Sequence, residues 1–157
     1  MDAIGQVLRL AVVADAFLAQ VFYRAKASLQ RHRIPLLPHI FHRLAIQNAG
    51  VCIGDPVLIE PGLYLAHGQV VIDGVVRIKR GVAIFPWVTI GLRPPALGGA
   101  TIGRSASIGT GAKVLGEVTI GHRARVGANA VVLDDVPDDR SVIGIPARLV
   151  EVSGDGR

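Results

Sequence analysis

One aliphatic residue recurs at every sixth position between Ala100 and Leu133, and this spacing constrains the fold more than any other feature of the chain. The series is Ile102, Ile108, Val114, Ile120, Val126 and Val132. A helical period of about 3.6 would scatter these side chains around a helix, and strand alternation would not single out every sixth residue. A parallel β-helix satisfies the period, because three six-residue segments form one triangular coil and the recurring residue points into its core.

The same phase continues upstream, with two irregularities. The earlier positions are Ile53, Ile59, Leu65, Ile72, Ile78, Ile84 and Ile90. The step from Leu65 to Ile72 has seven residues, and the interval from Ile90 to Ile102 has twelve and contains the stretch GLRPPALGGA. We predict a parallel β-helix over about Val51–Val136, with an excursion from one corner after Ile90. A regular stack has no preferred place for a reaction, so the two irregularities are the candidate sites.

Composition limits the class of protein and of ligand. The chain has 157 residues, of which 50% are hydrophobic and 4% aromatic. Its single cysteine, Cys52, excludes an internal disulfide and favours a reducing, cytoplasmic setting. The net charge is +5, but Lys and Arg are spread along the chain with few aromatic residues between them. This pattern favours the phosphates of a small cofactor over nucleic acid.

The first 48 residues have a helical period instead. The apolar positions of one helical face are Ile4, Leu8, Val12, Phe17, Val21 and Leu29. This helix should end in the basic stretch 31–33, and a second helix is predicted over about Pro38–Gln47. Arg9 and Asp15 interrupt the apolar run, which argues against a signal peptide or stable membrane insertion. We expect a helical cap on the first coil that helps subunits pack, with peripheral membrane contact as the alternative.

His67 lies in the seven-residue step, beside Gly68. An imidazole in an irregular turn can project to the surface, and its ordinary pKa suits general-base chemistry near neutral pH. The alternative is a surface histidine without a role. His32, His39, His42 and His122 have only this second interpretation, because they lie in the helical extension or at a regular corner.

Several stretches carry a resemblance to a known family. They are PGLYLAHGQVVI, VTIG before the excursion, IGTGAKVLGEVTIGHRARVGANAVVLDDVP and the closing IGIPARLV. Over about residues 50–150 the chain resembles the bacterial serine acetyltransferases and, more widely, the hexapeptide-repeat acyltransferases with a left-handed β-helix. The resemblance implies a left-handed parallel β-helix domain over residues 49–150, after a helical extension (1–48) and before a tail (151–157). It also implies a homotrimer with sites at the subunit interfaces.

The resemblance implies acetyl-CoA as the acyl donor, no metal, and His67 as the general base that deprotonates an acceptor hydroxyl. A backbone N–H near Gly91 could stabilise the negative charge on the carbonyl oxygen. Glu60 and Asp73 are the nearby carboxylates that could orient the imidazole, and a backbone carbonyl or a carboxylate of the helical extension is the alternative. The implied cofactor positions are Gly91, Thr110 and Ala128, with Arg125 and Arg148 near the phosphates.

Three departures from the family pattern concern the acceptor. The aspartate that precedes the histidine in the family is Ala66 here, the loop Arg-His pair has no equivalent, and the long helical domain is shortened. L-serine is therefore expected to be a poor acceptor beside a less charged hydroxyl compound, with Arg93 near the acceptor or the phosphates. The alternatives are acetylation of a sugar or secondary-metabolite hydroxyl or amine, a zinc enzyme on the same repeat, and a non-catalytic trimeric scaffold.

Overall fold

The computed structural model describes Gly5, Arg9 and residues 16–150. Within residues 16–150, two helices, α1 (Phe17–Arg31) and α2 (Leu37–Ala49), precede fifteen short strands. The predicted helix end at residues 31–33 and the predicted second helix are confirmed to within two residues, whereas Ile4, Leu8 and Val12 lie outside the described residues. Gly50 ends α2 with a φ of 62°, the left-handed conformation that glycine adopts without steric cost.

The fifteen strands form three sheets, and every pairing is parallel except the last, between β14 and β15. Sheet A has the order β1-β4-β7-β10-β13, sheet B has β11-β8-β5-β2, and sheet C has β15-β14-β12-β9-β6-β3. Neighbours are three strands apart in sequence, except for the last two pairings of sheet C, so the chain visits sheets A, B and C once per coil. The predicted parallel β-helix is confirmed. The strands are β1 (Val51–Ile53), β2 (Leu58–Ile59), β3 (Tyr64–Leu65), β4 (Val70–Ile72), β5 (Val75–Ile78), β6 (Ala83–Ile84), β7 (Thr89–Gly91), β8 (Gly98–Ile102), β9 (Ser107–Ile108), β10 (Lys113–Leu115), β11 (Thr119–Ile120), β12 (Arg125–Val126), β13 (Val131–Val132), β14 (Ser141–Ile143) and β15 (Arg148–Leu149).

The recurring aliphatic residues form three columns inside the prism. In sheet A the register aligns Ile53, Ile72, Ile90, Val114 and Val132. Sheet B aligns Ile59, Ile78, Ile102 and Ile120, and sheet C aligns Leu65, Ile84, Ile108, Val126 and Val142. All of these side chains are buried. The last column shows that the β-helix continues past Val136, where the prediction from the six-residue period ended, because Val142 resumes the phase after an irregular turn.

Helix α1 covers the first coil through polar side chains as well as apolar ones. The hydroxyl of Tyr23 donates to the Val57 carbonyl at 2.9 Å, and the buried Nζ of Lys26 donates to the Ile53 carbonyl at 2.6 Å. The same Nζ lies 2.9 Å from Oδ1 of Asp55. These bonds satisfy carbonyl groups of the first coil, which has no preceding coil. None of the described helices is long and apolar enough to span a bilayer.

We expect Lys26→Met to lower the melting temperature by roughly 3–10 °C. Methionine keeps much of the apolar stem but leaves the buried Ile53 carbonyl without a donor, which costs about 1–3 kcal/mol. Thermal unfolding at fixed protein concentration measures the effect. A melting temperature equal to or above that of the wild type would show that the buried ammonium contributes nothing to stability.

The effect of pH on this ion pair follows from Asp55. The hydrogen bond from Lys26 holds the pKa of the Asp55 carboxyl below its ordinary value of 3.8. Its contribution is therefore present above pH 3.8 and is lost as the pH falls through the lower pKa of the folded state. The difference in melting temperature between the wild type and Asp55→Asn should disappear at that acidic end.

Candidate active site

The His67 turn, residues 66–69, connects β3 to β4. Counted between core positions it has one residue more than the equivalent turn of the next coil, because Leu65 and Ile72 are seven residues apart whereas their register partners Ile84 and Ile90 are six apart. The end of α2 holds the His67 turn in place. The Gln69 N–H donates to the Ala49 carbonyl at 2.8 Å, and a Cβ on Gly68 would overlap that same oxygen. The extra residue and the absent side chain together let the turn pass under the helix end, with His67 exposed.

Turns of successive coils stack along the corner between sheets C and A, which we call the His67 edge. It consists of the turns 66–69, 85–87, 109–111 and 127–129. Backbone bonds join them in sequence: Trp87 N–H to the Gln69 carbonyl at 2.8 Å, Gly111 N–H to the Pro86 carbonyl at 2.9 Å and Asn129 N–H to the Thr110 carbonyl at 2.8 Å. Three coil steps of about 4.8 Å give the edge a length of roughly 14 Å between His67 and Ala128.

Of the predicted cofactor residues, Thr110 and Ala128 lie on the His67 edge. Arg125 is exposed on the outer side of β12 in sheet C, the strand that leads directly into the turn 127–129 of that edge. Arg148 is exposed in β15, where its Nη1 donates to the Ala147 carbonyl at 3.0 Å. Gly91 ends β7 at a different corner, between sheets A and B.

Glu60 is held at a second corner, between sheets B and C. Its Oε1 accepts from Nζ of Lys79 at 3.0 Å, and its Oε2 accepts the Arg80 N–H at 3.0 Å. The bond from Lys79, with the Arg80 N–H second, holds the pKa of this carboxyl below its ordinary value. Glu60 is therefore ionised, and both of its carboxylate oxygens accept hydrogen bonds from the next coil.

Asp73 follows β4 at the third corner, between sheets A and B, and its side chain is exposed. Its Oδ1 accepts the N–H of Gly74 at 2.8 Å. The structure thus places His67, Glu60 and Asp73 at three different corners of one chain. It does not bring the two predicted carboxylates to the His67 edge.

The excursion after β7 folds back along the outside of the corner between sheets A and B. Arg93 and Ala96 form an antiparallel bridge, and Nη1 of Arg93 is 3.5 Å from the Leu133 carbonyl. Leu97, at the far end, is 75% exposed. The excursion therefore presents an apolar side chain to the surface while its arginine points along the stack.

Trp87 is a residue of the His67 edge that the periodicity analysis did not single out. It is 61% exposed and has a φ of 65°, which is rare for a bulky residue. Its side chain borders a groove of about 340 Å³ on sheet A that is also lined by Gln69, Val71 and Lys113. The signal available in the sequence was the single tryptophan of the chain, placed at a turn rather than at a core position.

His122 has a structural contact that accounts for it. Its Nδ1 accepts the Arg104 N–H at 2.9 Å, which joins two coils at the corner between sheets B and C. Within residues 16–150, together with Gly5 and Arg9, no three His, Cys, Asp or Glu side chains converge in a way that could hold a metal ion.

Comparison with known proteins identifies the repeat and the relatives of the fold. Residues 99–134 match the family model described as bacterial transferase hexapeptide (six repeats). A curated serine acetyltransferase of Synechococcus elongatus is 34% identical over 150 residues, which cover 94% of this chain and 62% of the relative.

Solved structures agree with this relationship. Neisseria gonorrhoeae serine acetyltransferase in complex with serine superposes with a TM-score of 0.82 at 27% identity, covering 88% of this chain and 58% of the other. A serine acetyltransferase in complex with CoA superposes with a TM-score of 0.79 at 30% identity, covering 87% and 57%. The chain therefore spans about three fifths of the length of these relatives. Residues 99–134 carry the bacterial transferase hexapeptide repeat, and the chain is similar in sequence and in fold to serine acetyltransferases.

Proposed function

We propose that this chain is an acetyl-CoA-dependent O-acetyltransferase that acts on a small hydroxyl acceptor. The observation that carries the proposal is the His67 turn, whose extra residue exposes an imidazole on an edge shared with Thr110 and Ala128. The names of the relatives, and the CoA bound to one of them, support the same chemistry.

In the proposed reaction, His67 takes the proton of the acceptor hydroxyl as its oxygen attacks the thioester carbonyl. The new bond joins the acceptor oxygen to the acetyl carbon, and the carbon–sulfur bond of acetyl-CoA breaks. The proton then passes from His67 to the departing thiolate of CoA. The negative charge that develops on the carbonyl oxygen requires a hydrogen-bond donor, for which a backbone N–H near Gly91 is our candidate.

The separation of these groups supports a trimer with active sites between subunits. His67 and Gly91 lie at opposite ends of the sheet A strands, and the three extended residues of β4 alone span about 10 Å. One protomer therefore cannot present both groups to the same reacting atoms. A neighbouring subunit that packs its Gly91 corner against the His67 edge would complete the site, and it could also supply Asp73 to orient the imidazole.

The cofactor is proposed to lie along the His67 edge. The small turn residues Thr110 and Ala128 leave room for an extended arm, with Arg125 and Arg148 placed to attract phosphates. The enzyme is proposed to be cytoplasmic, where acetyl-CoA is available and where Cys52 would stay reduced.

We expect Gly91→Ala to weaken acetyl-CoA use without destabilising the fold. A Cβ at Gly91 would have no other atom of the chain within 4 Å, so the added methyl group could contact only a bound molecule or a neighbouring subunit. Gly103→Ala is the matched control, since its Cβ would come within 2.6 Å of the Gly121 backbone. The KM for acetyl-CoA and the melting temperature separate the two. An unchanged KM for Gly91→Ala in an intact oligomer would remove Gly91 from the cofactor site.

L-serine should be a weak acceptor in comparison with a less charged hydroxyl compound. Serine needs a cation for its carboxylate and an acid for its ammonium, whereas the excursion exposes Leu97 and directs Arg93 toward Leu133. We expect a kcat/KM for L-serine below about 10⁴ M⁻¹s⁻¹, the lower end of ordinary enzyme efficiency. A higher value, with no better acceptor in the panel, would make serine the natural substrate.

Release of free CoA thiol in the presence of varied acceptors tests the proposal. The panel should include L-serine, neutral sugars, amino sugars and simple polyols, with acetyl-CoA saturating. Acceptor-dependent release supports the enzyme, and a preference for the amine of an amino sugar over every hydroxyl would favour N-acetylation. No release with any acceptor, by a trimer that is correctly folded, would favour the scaffold interpretation.

A further inference from the structure

The helical hairpin, residues 16–50, has an unusual charge composition. It contains Arg24, Lys26, Arg31, Arg33 and Arg43 and no Asp or Glu. Arg24 and Lys26 are directed to the β-helix, where they donate to carbonyl groups of the first coil. The other three arginines are exposed at the end of α1, in the turn and on α2. The outer surface of the hairpin is thus uniformly basic.

The same surface carries exposed aliphatic side chains. Leu37, Ile40 and Leu44 follow each other at helical spacing on one side of α2, with exposures of 43%, 48% and 37%. The turn before them adds Ile34 at 39% and Leu36 at 74%. We call residues 31–37 the hairpin tip. Leu37, Ile40 and Leu44 are the α2 stripe, and together with the tip they make up what we call the aliphatic strip. Arg31 and Arg33 lie in the tip, and Arg43 directly precedes Leu44.

The backbone of the hairpin tip is held in an unfavourable conformation that keeps these side chains outside. Arg33 has a φ of 56° and Leu36 a φ of 68°, and such values are costly for residues with a Cβ. Burial of the Leu36 side chain within the chain does not offset this conformational free energy, because three quarters of the side chain is exposed. Burial of the Leu36 side chain in an apolar surface of a partner would offset this free energy.

Charge decides which partner fits. A second hairpin would bring like charges together, and nucleic acid would match the arginines but not the aliphatic strip. The combination of an aliphatic strip with flanking cations and no acid matches the interface of an anionic bilayer. We propose that the hairpin tip and the α2 stripe dock on an anionic phospholipid surface, with the aliphatic side chains at acyl-chain depth and the arginines among the headgroup phosphates. This proposal does not depend on the proposed function.

Vesicle flotation of the full-length chain tests the proposal. We expect binding to vesicles of phosphatidylcholine mixed with phosphatidylglycerol and not to vesicles of phosphatidylcholine alone. Binding should decline as salt rises from about 0.1 M to about 1 M, which shortens the screening length from about 10 Å to about 3 Å. Arg31→Gln with Arg33→Gln should lower the partition coefficient by more than tenfold, since each arginine contributes roughly fivefold. Leu36→Ser with Ile40→Ser should lower it by about tenfold or more.

The control is Leu58→Ser with Arg77→Gln, which removes an exposed aliphatic residue and a cation that are register partners on sheet B. It should bind the mixed vesicles like the wild type. Equal binding by the hairpin variants and the wild type would overturn the proposal. So would binding that does not distinguish the two vesicles, or a loss of oligomer mass in light scattering of the Leu36→Ser, Ile40→Ser variant without lipid, which would identify the strip as a contact between copies of the chain. Circular dichroism confirms that each variant is folded.

Discussion

His67→Ala is expected to lower kcat for acetyl transfer by about 10²–10⁴ while the Kd for acetyl-CoA stays nearly unchanged. This range is the usual cost of removing a general base. Cofactor binding should persist because Thr110 and Ala128 lie in other coils of the same edge. Steady-state kinetics with the preferred acceptor and titration calorimetry with acetyl-CoA in the absence of acceptor measure the two quantities separately.

His122→Ala is the matched histidine control. The His122 imidazole joins two coils at another corner, where its Nδ1 accepts the Arg104 N–H. Its loss should reduce stability and leave kcat close to that of the wild type. If His67→Ala retains wild-type turnover with the preferred acceptor, His67 is a surface residue and the proposed chemistry fails.

Gly68→Ala should cost about 10²-fold in kcat/KM, although it adds only one methyl group. A Cβ at Gly68 would overlap the Ala49 carbonyl oxygen, which also accepts the Gln69 N–H. The turn must therefore move away from the end of α2 and take the adjacent His67 with it. A displacement of about 1 Å in a positioned catalytic group is enough for a loss of this size.

Gly81→Ala separates displacement of His67 from simple destabilisation. Gly81 has a φ of 73° and lies in the turn between β5 and β6, at the corner between sheets B and C. Alanine there should cost about 1–2 kcal/mol of stability through its backbone conformation and leave kcat unchanged. Equal losses of activity in Gly68→Ala and Gly81→Ala would mean that both act through stability and that the position of the His67 turn is not critical.

The fold could be predicted from the sequence because the six-residue period determines which side chains point into the core and how many strands make up one coil. The columns led by Ile53, Ile59 and Leu65 follow directly from residues six apart. The coil that ends with Val142 could not be predicted from the period, because the irregular segment before it breaks the phase. The register resumes only through the pairing of β12 with β14, a long-range contact that a local pattern does not contain.

The site was harder to predict because the repeat places residues that are close in sequence at different corners of the β-helix. Glu60 and Asp73 are seven and six residues from His67, so each lies one corner away from it. Residues that share a corner are about eighteen apart, as Thr110 and Ala128 are. Proximity in sequence therefore does not bring two side chains to the same corner of one chain. The same counting rule brings Trp87, in the turn one coil beyond His67, to the His67 edge.

Transfer of a labelled acetyl group tests the central claim most directly. The wild type would be incubated with acetyl-CoA labelled at the carbonyl carbon and with the acceptor that releases CoA fastest, and the product analysed by NMR. The account predicts label in an ester on an acceptor oxygen, formed in step with CoA release and absent when His67→Ala replaces the wild type. Label recovered only in free acetate or in an amide, or ester formed at the same rate by His67→Ala, would contradict it.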